Sequence, residues 1–579
     1  MGVELRADRD EVRSHVTSSE RSPAWFPTVL RDYENGNGHG NALADSSTNR
    51  TGDEMRIGKM KLPAVYALTL GMMASCMQSG MSSGGSTDAE GPADQGPVLP
   101  TRMDGDVALG RDVFRNETFG NEGFWTDAVR LPAGIAAARV TPMQALSLGL
   151  QIDVDAIDAA TQRTLMAQLR ADPTGRTSAL LNDPAVTMAL VKAGAVIGMA
   201  PKGARVGATC ALCHTMTDAS AFTAPGGGTV GHRVDGLANH SLNIGAIFAT
   251  AANTRALFTV AQLSYKGATL GRAATGLTEN STEAEFDAYF NNPSNYPVGM
   301  FDDSFDGNGN PMHNSPLFRQ DLAAPYGSEG LIARLDNFSN LVYTTLFDQT
   351  MLTTPGGRAF VHKLAPGAGD AMIDSYVKVL AATGVTGYPY VNAAMQGMPG
   401  EEANPIGARV DNVTLVAMNA YLASLQAPKG AMVDGGAASR GRATFSASGC
   451  ASCHNMNQGR AVPTTIHPMA EIFPGDNPVT LGMREAPLNP ILNTVASIFD
   501  DKMVVVNASA RGEKRGIAMP LLLDLARKPV FLHDNSVGSL DALFSASRGA
   551  SAPHPFYVAD AARRADLVQY LRSLDTRSR

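Results

Sequence analysis

The chain has 579 residues, with 47 Lys and Arg against 55 Asp and Glu for a net charge of −8, and it is 44% apolar and 18% charged. Those proportions exclude a disordered tail protein and a basic nucleic-acid binder. At roughly 100–200 residues per domain the length suits about three to five domains, enough to bury several cores.

Residues 1–54 are polar, with an Asn/Gly run from Asn35 to Gly40, and read as sequence upstream of the true start at Met55. From Met55 the residues Arg56, Lys59 and Lys61 form a positive n-region, followed by an uncharged apolar stretch, Leu62 to Met73, that leads into Ala74-Ser75-Cys76. This pattern over 55–76 is a secretory signal. The apolar run is shorter than the about 20 residues a spanning helix needs, and the small residues before Cys76 resemble a bacterial lipoprotein box, which makes Cys76 the expected lipidation site. Residues 77–104, rich in Ser, Gly and Pro, read as a flexible tether.

Beyond the tether the sequence repeats a set of parts. Gly110-Arg-Asp-Val-Phe114 opens the first copy, Cys210-Ala-Leu-Cys213-His214 follows, and a helix expected over 412–426 ends in Tyr421-Leu-Ala-Ser-Leu425. The second copy opens at Gly441-Arg-Ala-Thr-Phe445, carries Cys450-Ala-Ser-Cys453-His454, and closes with a helix over 561–574 ending in Tyr570-Leu-Arg-Ser-Leu574. In that last helix Leu567, Tyr570, Leu571 and Leu574 recur at three and four, which gives one apolar face. A duplication of this kind implies two units, 105–428 and 429–579, joined by a linker from Ala427 to Gly436. The first copy is elaborated by inserts, with helical candidates at 155–169 and 183–198. Strand signals are few and short, so the expected fold is mainly α with long loops.

Cys at i and i+3 with His next is the attachment pattern of a c-type haem: two thioether bonds to the vinyl groups and an imidazole beneath the iron. One Cys-x-x-Cys alone could instead be a redox dithiol or half of a zinc site. Neither alternative predicts the repeated Gly-x-x-x-Phe and Tyr-Leu-x-Ser-Leu flanks. The expected cofactors are two covalent haems on Cys210, Cys213, Cys450 and Cys453, with His214 and His454 as proximal ligands.

These flanks resemble a cytochrome c domain. Two such domains in an exported chain resemble the bacterial di-haem cytochrome c peroxidase superfamily, which also contains the methylamine-utilisation di-haem enzyme and the rubber oxygenases. Lys528-Pro-Val-Phe-Leu-His533-Asp-Asn-Ser536-Val-Gly-Ser-Leu540 is similar to a phrase of that superfamily's second haem domain, with Asn535 in place of its Gly. The resemblance implies tandem cytochrome c domains and electron transfer, with peroxide or dioxygen activated at an open haem; the alternative is an electron carrier whose two haems are both six-coordinate. The bridging Trp of the peroxidases is missing, because Trp25 and Trp125 both precede Cys210.

For the second haem, His533 and Met519 are the distal candidates. For the first, His232, His240, His313, His362, Met300, Met395 and Met398 are all open, and Arg205 and Arg233 could pair the propionates. The compact second copy is expected to be six-coordinate and to store electrons, and the elaborated first copy to be open. Asp302, Asp303, Asp306, Asn308 and Asn310 offer oxygen ligands at calcium-loop spacing, yet Pro311 stands where an EF-hand has Gly and no Glu closes the loop. A turn is the reading there, with calcium the minor alternative. Expected partners are a redox protein or quinol-linked donor, a small oxidant and, through Cys76, a membrane. The expected location is the bacterial periplasm or the outer face of a membrane, with no nucleic acid involved.

Overall fold

The computed structural model describes residues 102–265, 268–269, 276–293, 295–302, 311–327, 332–454, 466–467, 517–532, 535, 537–549, 554 and 556–576. Cys76, the signal segment, His533 and positions 303–310 of the Asp/Asn loop lie outside them. Among the described residues the protein is mainly helical, and no helix is long and apolar enough to cross a membrane. Strands are short and mostly antiparallel pairs, the longest being Ala394–Glu401.

Four helices set the frame: α1 (Val107–Asn116), α2 (Asn412–Ser424), α3 (Gly435–Ala447) and α4 (Ala561–Ser573). Each starts where an Asp side chain accepts hydrogen bonds from its first-turn amides: Asp106, Asp411, Asp434 and Asp560. A short carboxylate at this position satisfies orphan N–H groups and sits at the positive end of the helix dipole. The two helices expected in the first insert form as Ala159–Ala171 and Pro184–Lys192. The second is shorter than the sequence suggested because Gly194 and Gly198 turn the chain at positive φ into a hairpin, Met199–Lys202 with Arg205–Ala208.

α1 crosses α2, and α3 crosses α4, in the same way. A Cβ on Gly110 would lie 1.9 Å from the Ala417 carbonyl oxygen and 2.9 Å from Tyr421 Cβ; one on Gly441 would lie 2.1 Å from the Asp566 carbonyl oxygen and 2.7 Å from Tyr570 Cβ. Only glycine lets the backbones approach this closely. One turn on, Phe114 packs on Tyr421 and Phe445 on Tyr570, each pair with ring centroids 5.7 Å apart. Ser424 and Ser573 then each donate to the carbonyl of their Tyr at 2.6 Å as the helices end.

The apolar residues divide accordingly. One core surrounds Phe248, Phe258, Phe286 and Tyr376, a second runs from Phe114 through Tyr343 to Tyr421, and a third gathers Phe445, Phe531, Phe544 and Tyr570. Leu237, Phe318, Ala427 and Leu523 form a seam between the second and third. The linker expected at 427–436 is pinned there: Arg527 donates to the carbonyls of Pro428 and Lys429, and the amides of Gly430 and Ala431 bond to Asp575 and to the Arg572 carbonyl.

Candidate functional site

Both Cys-x-x-Cys-His stretches form a single helical turn. His214 N–H bonds to the Cys210 carbonyl at 3.3 Å and His454 N–H to the Cys450 carbonyl at 3.0 Å. That turn puts both thiols and the imidazole on one side. All four cysteines are unbridged and half-buried. Burial pushes the Cys210 thiol up to about 11, against a 3.5 Å contact with the Tyr343 hydroxyl, and the Cys213 thiol up to about 12. Burial raises Cys450 as well. A reactive dithiol needs the opposite shift, toward thiolate. Among the described residues no group of three or more His, Cys, Asp or Glu is placed to hold a metal ion.

His214 is half-buried, and its Nδ1 donates to the Ser315 carbonyl at 2.7 Å. Burial lowers its pKa, opposed by that bond, so the neutral ring is favoured. A ring committed this way through Nδ1 keeps Nε2 for a metal in a set orientation. The loop after the motif clasps it from behind, with Gly236 N–H on the His214 carbonyl and Asn239 N–H on the Cys213 carbonyl. Asp235, at the end of the strand Arg233–Asp235, is buried and receives Arg115 Nε at 2.5 Å, the Tyr421 hydroxyl at 2.5 Å and the Thr215 hydroxyl at 3.0 Å. One carboxylate thus ties α1 and α2 to the motif. The residues at the first motif therefore fit a covalently held haem: adjacent protonated thiols, a proximal imidazole with its tautomer set, and a half-buried apolar setting.

At the second motif the His454 ring packs between Phe445, at 6.5 Å, and His554, at 6.3 Å. Sequence reasoning missed His554, whose one local signal is its place in Pro553-His554-Pro555. Met519 is half-buried just after the strand pair that joins Ile466–His467 to Ile517–Ala518.

The remaining candidates scatter. His232 and His362 sit at the surface beside Asp155 and Asp370. Met395 and Met398 are exposed on their strand, and Met300 is buried in the strand Met300–Asp302, which pairs with Pro311–His313. His313 donates through Nδ1 to the Leu532 carbonyl at 3.0 Å, across the seam. His240 Nδ1 is buried without a hydrogen-bond partner among the described residues, and burial together with nearby Lys528 lowers its pKa to about 4. Arg205 pairs with Asp127 at 2.6 Å and Arg233 with Asp153 at 2.9 Å. Trp125 is buried in the first core, stacked on Phe248, and lines a small apolar cavity with Leu212 of the first motif.

No family model matches the chain, and no curated protein matches it. Among solved structures, hydrazine synthase of Kuenenia stuttgartiensis pressurised with 20 bar xenon is similar at 13% identity, over 55% of this chain and 86% of that one, with a TM-score of 0.22. A likeness at that level does not define a shared fold.

Proposed function

We propose that the chain is an exported c-type cytochrome with two covalently attached haems in tandem cytochrome c-like units, 105–428 and 429–579. Its work is electron transfer, with peroxide or dioxygen reacting at the first haem and the second storing electrons. The observation that carries this reading is the repeated helix crossing: Gly110 on Tyr421 and Gly441 on Tyr570, each crossing paired with its own Cys-x-x-Cys-His turn. A dithiol or zinc protein has no reason to build that frame twice.

Bound haem supplies a redox-active iron whose sixth position either stays open to a small oxidant or is closed by a side chain. The chain's own residues do the rest. Cys210 and Cys213 anchor the first group, Ser315 orients His214, and Asp235 keeps α1, α2 and the motif in register. Residues 55–76 direct export, and an acyl chain on Cys76 would hold the protein at the membrane, where a redox protein or quinol-linked donor could reduce it.

The test is mass. Protein matured with a cytochrome c assembly system should exceed its polypeptide mass by two haems, and Cys210→Ala or Cys450→Ala should each cost attachment at one site only. Protein that carries zinc and no covalent haem would refute the reading. Carbon monoxide or cyanide should perturb only the haem on Cys210 and Cys213; two low-spin haems that ignore both ligands would leave an electron carrier.

A further inference from the structure

We infer that His554 is the sixth ligand of the iron at the second motif, facing His454 across it, so that the Cys450–His454 site is a closed bis-imidazole centre. The inference rests on the reading of that motif as a haem attachment site. His454 and His554 have ring centroids 6.3 Å apart with planes inclined at 53°. Two imidazoles bound to one metal, each about 2 Å from it through a ring nitrogen, place their centroids about 6 Å apart. Simple ring packing also allows this spacing, so the surroundings of His554 decide.

Two aromatic rings lie beside it. Phe544 lies 6.2 Å and Phe556 5.1 Å from the His554 ring, and its Nδ1 is shielded from solvent with no hydrogen-bond partner among the described residues. A buried polar nitrogen left in that state costs free energy unless a partner reaches it. His554 also has φ of +53°, between two prolines, in the left-handed region that His enters more readily than most residues with a Cβ.

The consequence divides labour between the two sites. A second haem closed by His554 takes no exogenous ligand and serves as the electron store, so small-molecule chemistry falls to the haem on Cys210 and Cys213. It also takes His533 and Met519 out of the ligand set.

The test uses the full haem-loaded chain and reads ligation directly, by electron paramagnetic resonance and near-infrared magnetic circular dichroism. The wild type should show one low-spin haem with two nitrogen axial ligands. His554→Ala should turn that haem high-spin and open it to carbon monoxide, and added imidazole should restore the low-spin signal. His554→Met should replace the nitrogen–nitrogen signature with a sulfur-ligated one, which covers the case in which the alanine variant fails to mature. Met519→Ala and His533→Ala should leave the signal unchanged. A haem-replete His554→Ala protein with the wild-type low-spin signal, or sulfur ligation already present in the wild type, would overturn the assignment. Lack of covalent haem on Cys450 and Cys453 in the wild type, seen by mass, would instead overturn the underlying reading.

Discussion

Asp235 carries more structure than any other single side chain around the first motif. Its carboxylate is buried and shared by Arg115, Tyr421 and Thr215. Desolvation alone would depress the Arg115 guanidinium, yet Asp235 overcomes it and the net shift is upward; burial first, and then the same carboxylate, raise the Tyr421 phenol. Breaking a buried pair from one side strands the other charge, so Asp235→Ala should destabilise the protein by about 3–5 kcal/mol in urea unfolding. Tyr421→Phe, which removes one neutral donor, should cost about 1 kcal/mol. His240 makes a pH prediction. Its folded pKa of about 4 lies below the ordinary 6.5, so as pH falls the unfolded chain takes up the proton first. Its share of stability is therefore constant above about pH 6.5, is lost between there and about pH 4, and amounts to up to about 3 kcal/mol. Chemical denaturation at stepped pH should show that slope, and His240→Asn should flatten it.

At the scale of elements, the two helix crossings depend on glycine against backbone. Alanine in a helix interior normally improves stability by about 1 kcal/mol over glycine. At Gly110 and Gly441 the added methyl would meet a carbonyl oxygen of the crossing helix at about 2 Å, and neither backbone can step aside without parting the helices. Gly110→Ala and Gly441→Ala should therefore each destabilise by about 1–3 kcal/mol, a reversal of sign that thermal unfolding would register. An unchanged or raised melting temperature would mean that the crossings are looser than described. The repeat was legible in advance because Gly-x-x-x-Phe and Tyr-Leu-x-Ser-Leu are local patterns on single helices, where i, i+3 and i+4 share a face. The insert between Gly110 and Cys210 was less legible: its second helix stops early at glycines whose positive φ answers to the packing of the following hairpin.

At the scale of the whole molecule, the two repeats meet along the seam of Leu237, Phe318, Ala427 and Leu523, with His313 reaching the Leu532 carbonyl beside it. Phe318 is the largest apolar contributor and is almost fully buried. Phe318→Ala should remove about 3–5 kcal/mol of packing and loosen the join before either repeat unfolds. Limited proteolysis should then cut within 428–436 in the variant and spare the wild type, where Arg527 holds that stretch by its carbonyls.

The sequence by itself determined the two Cys-x-x-Cys-His turns, the duplicated Gly-x-x-x-Phe and Tyr-Leu-x-Ser-Leu helices and the mainly helical character. All of these are written within one turn or one helix, where covalent geometry alone brings the residues together. Only the tertiary structure decided which groups attend each motif. Ser315 reaches His214 from 101 residues away and Tyr421 reaches Asp235 from 186. His554 faces His454 from the loop before α4, and Arg205 and Arg233 go to Asp127 and Asp153. Such pairings arise where irregular loops are folded onto a helical frame. Loops carry no periodicity to reveal which face they present, and the free energy that selects their contacts comes from burial and desolvation in the folded chain.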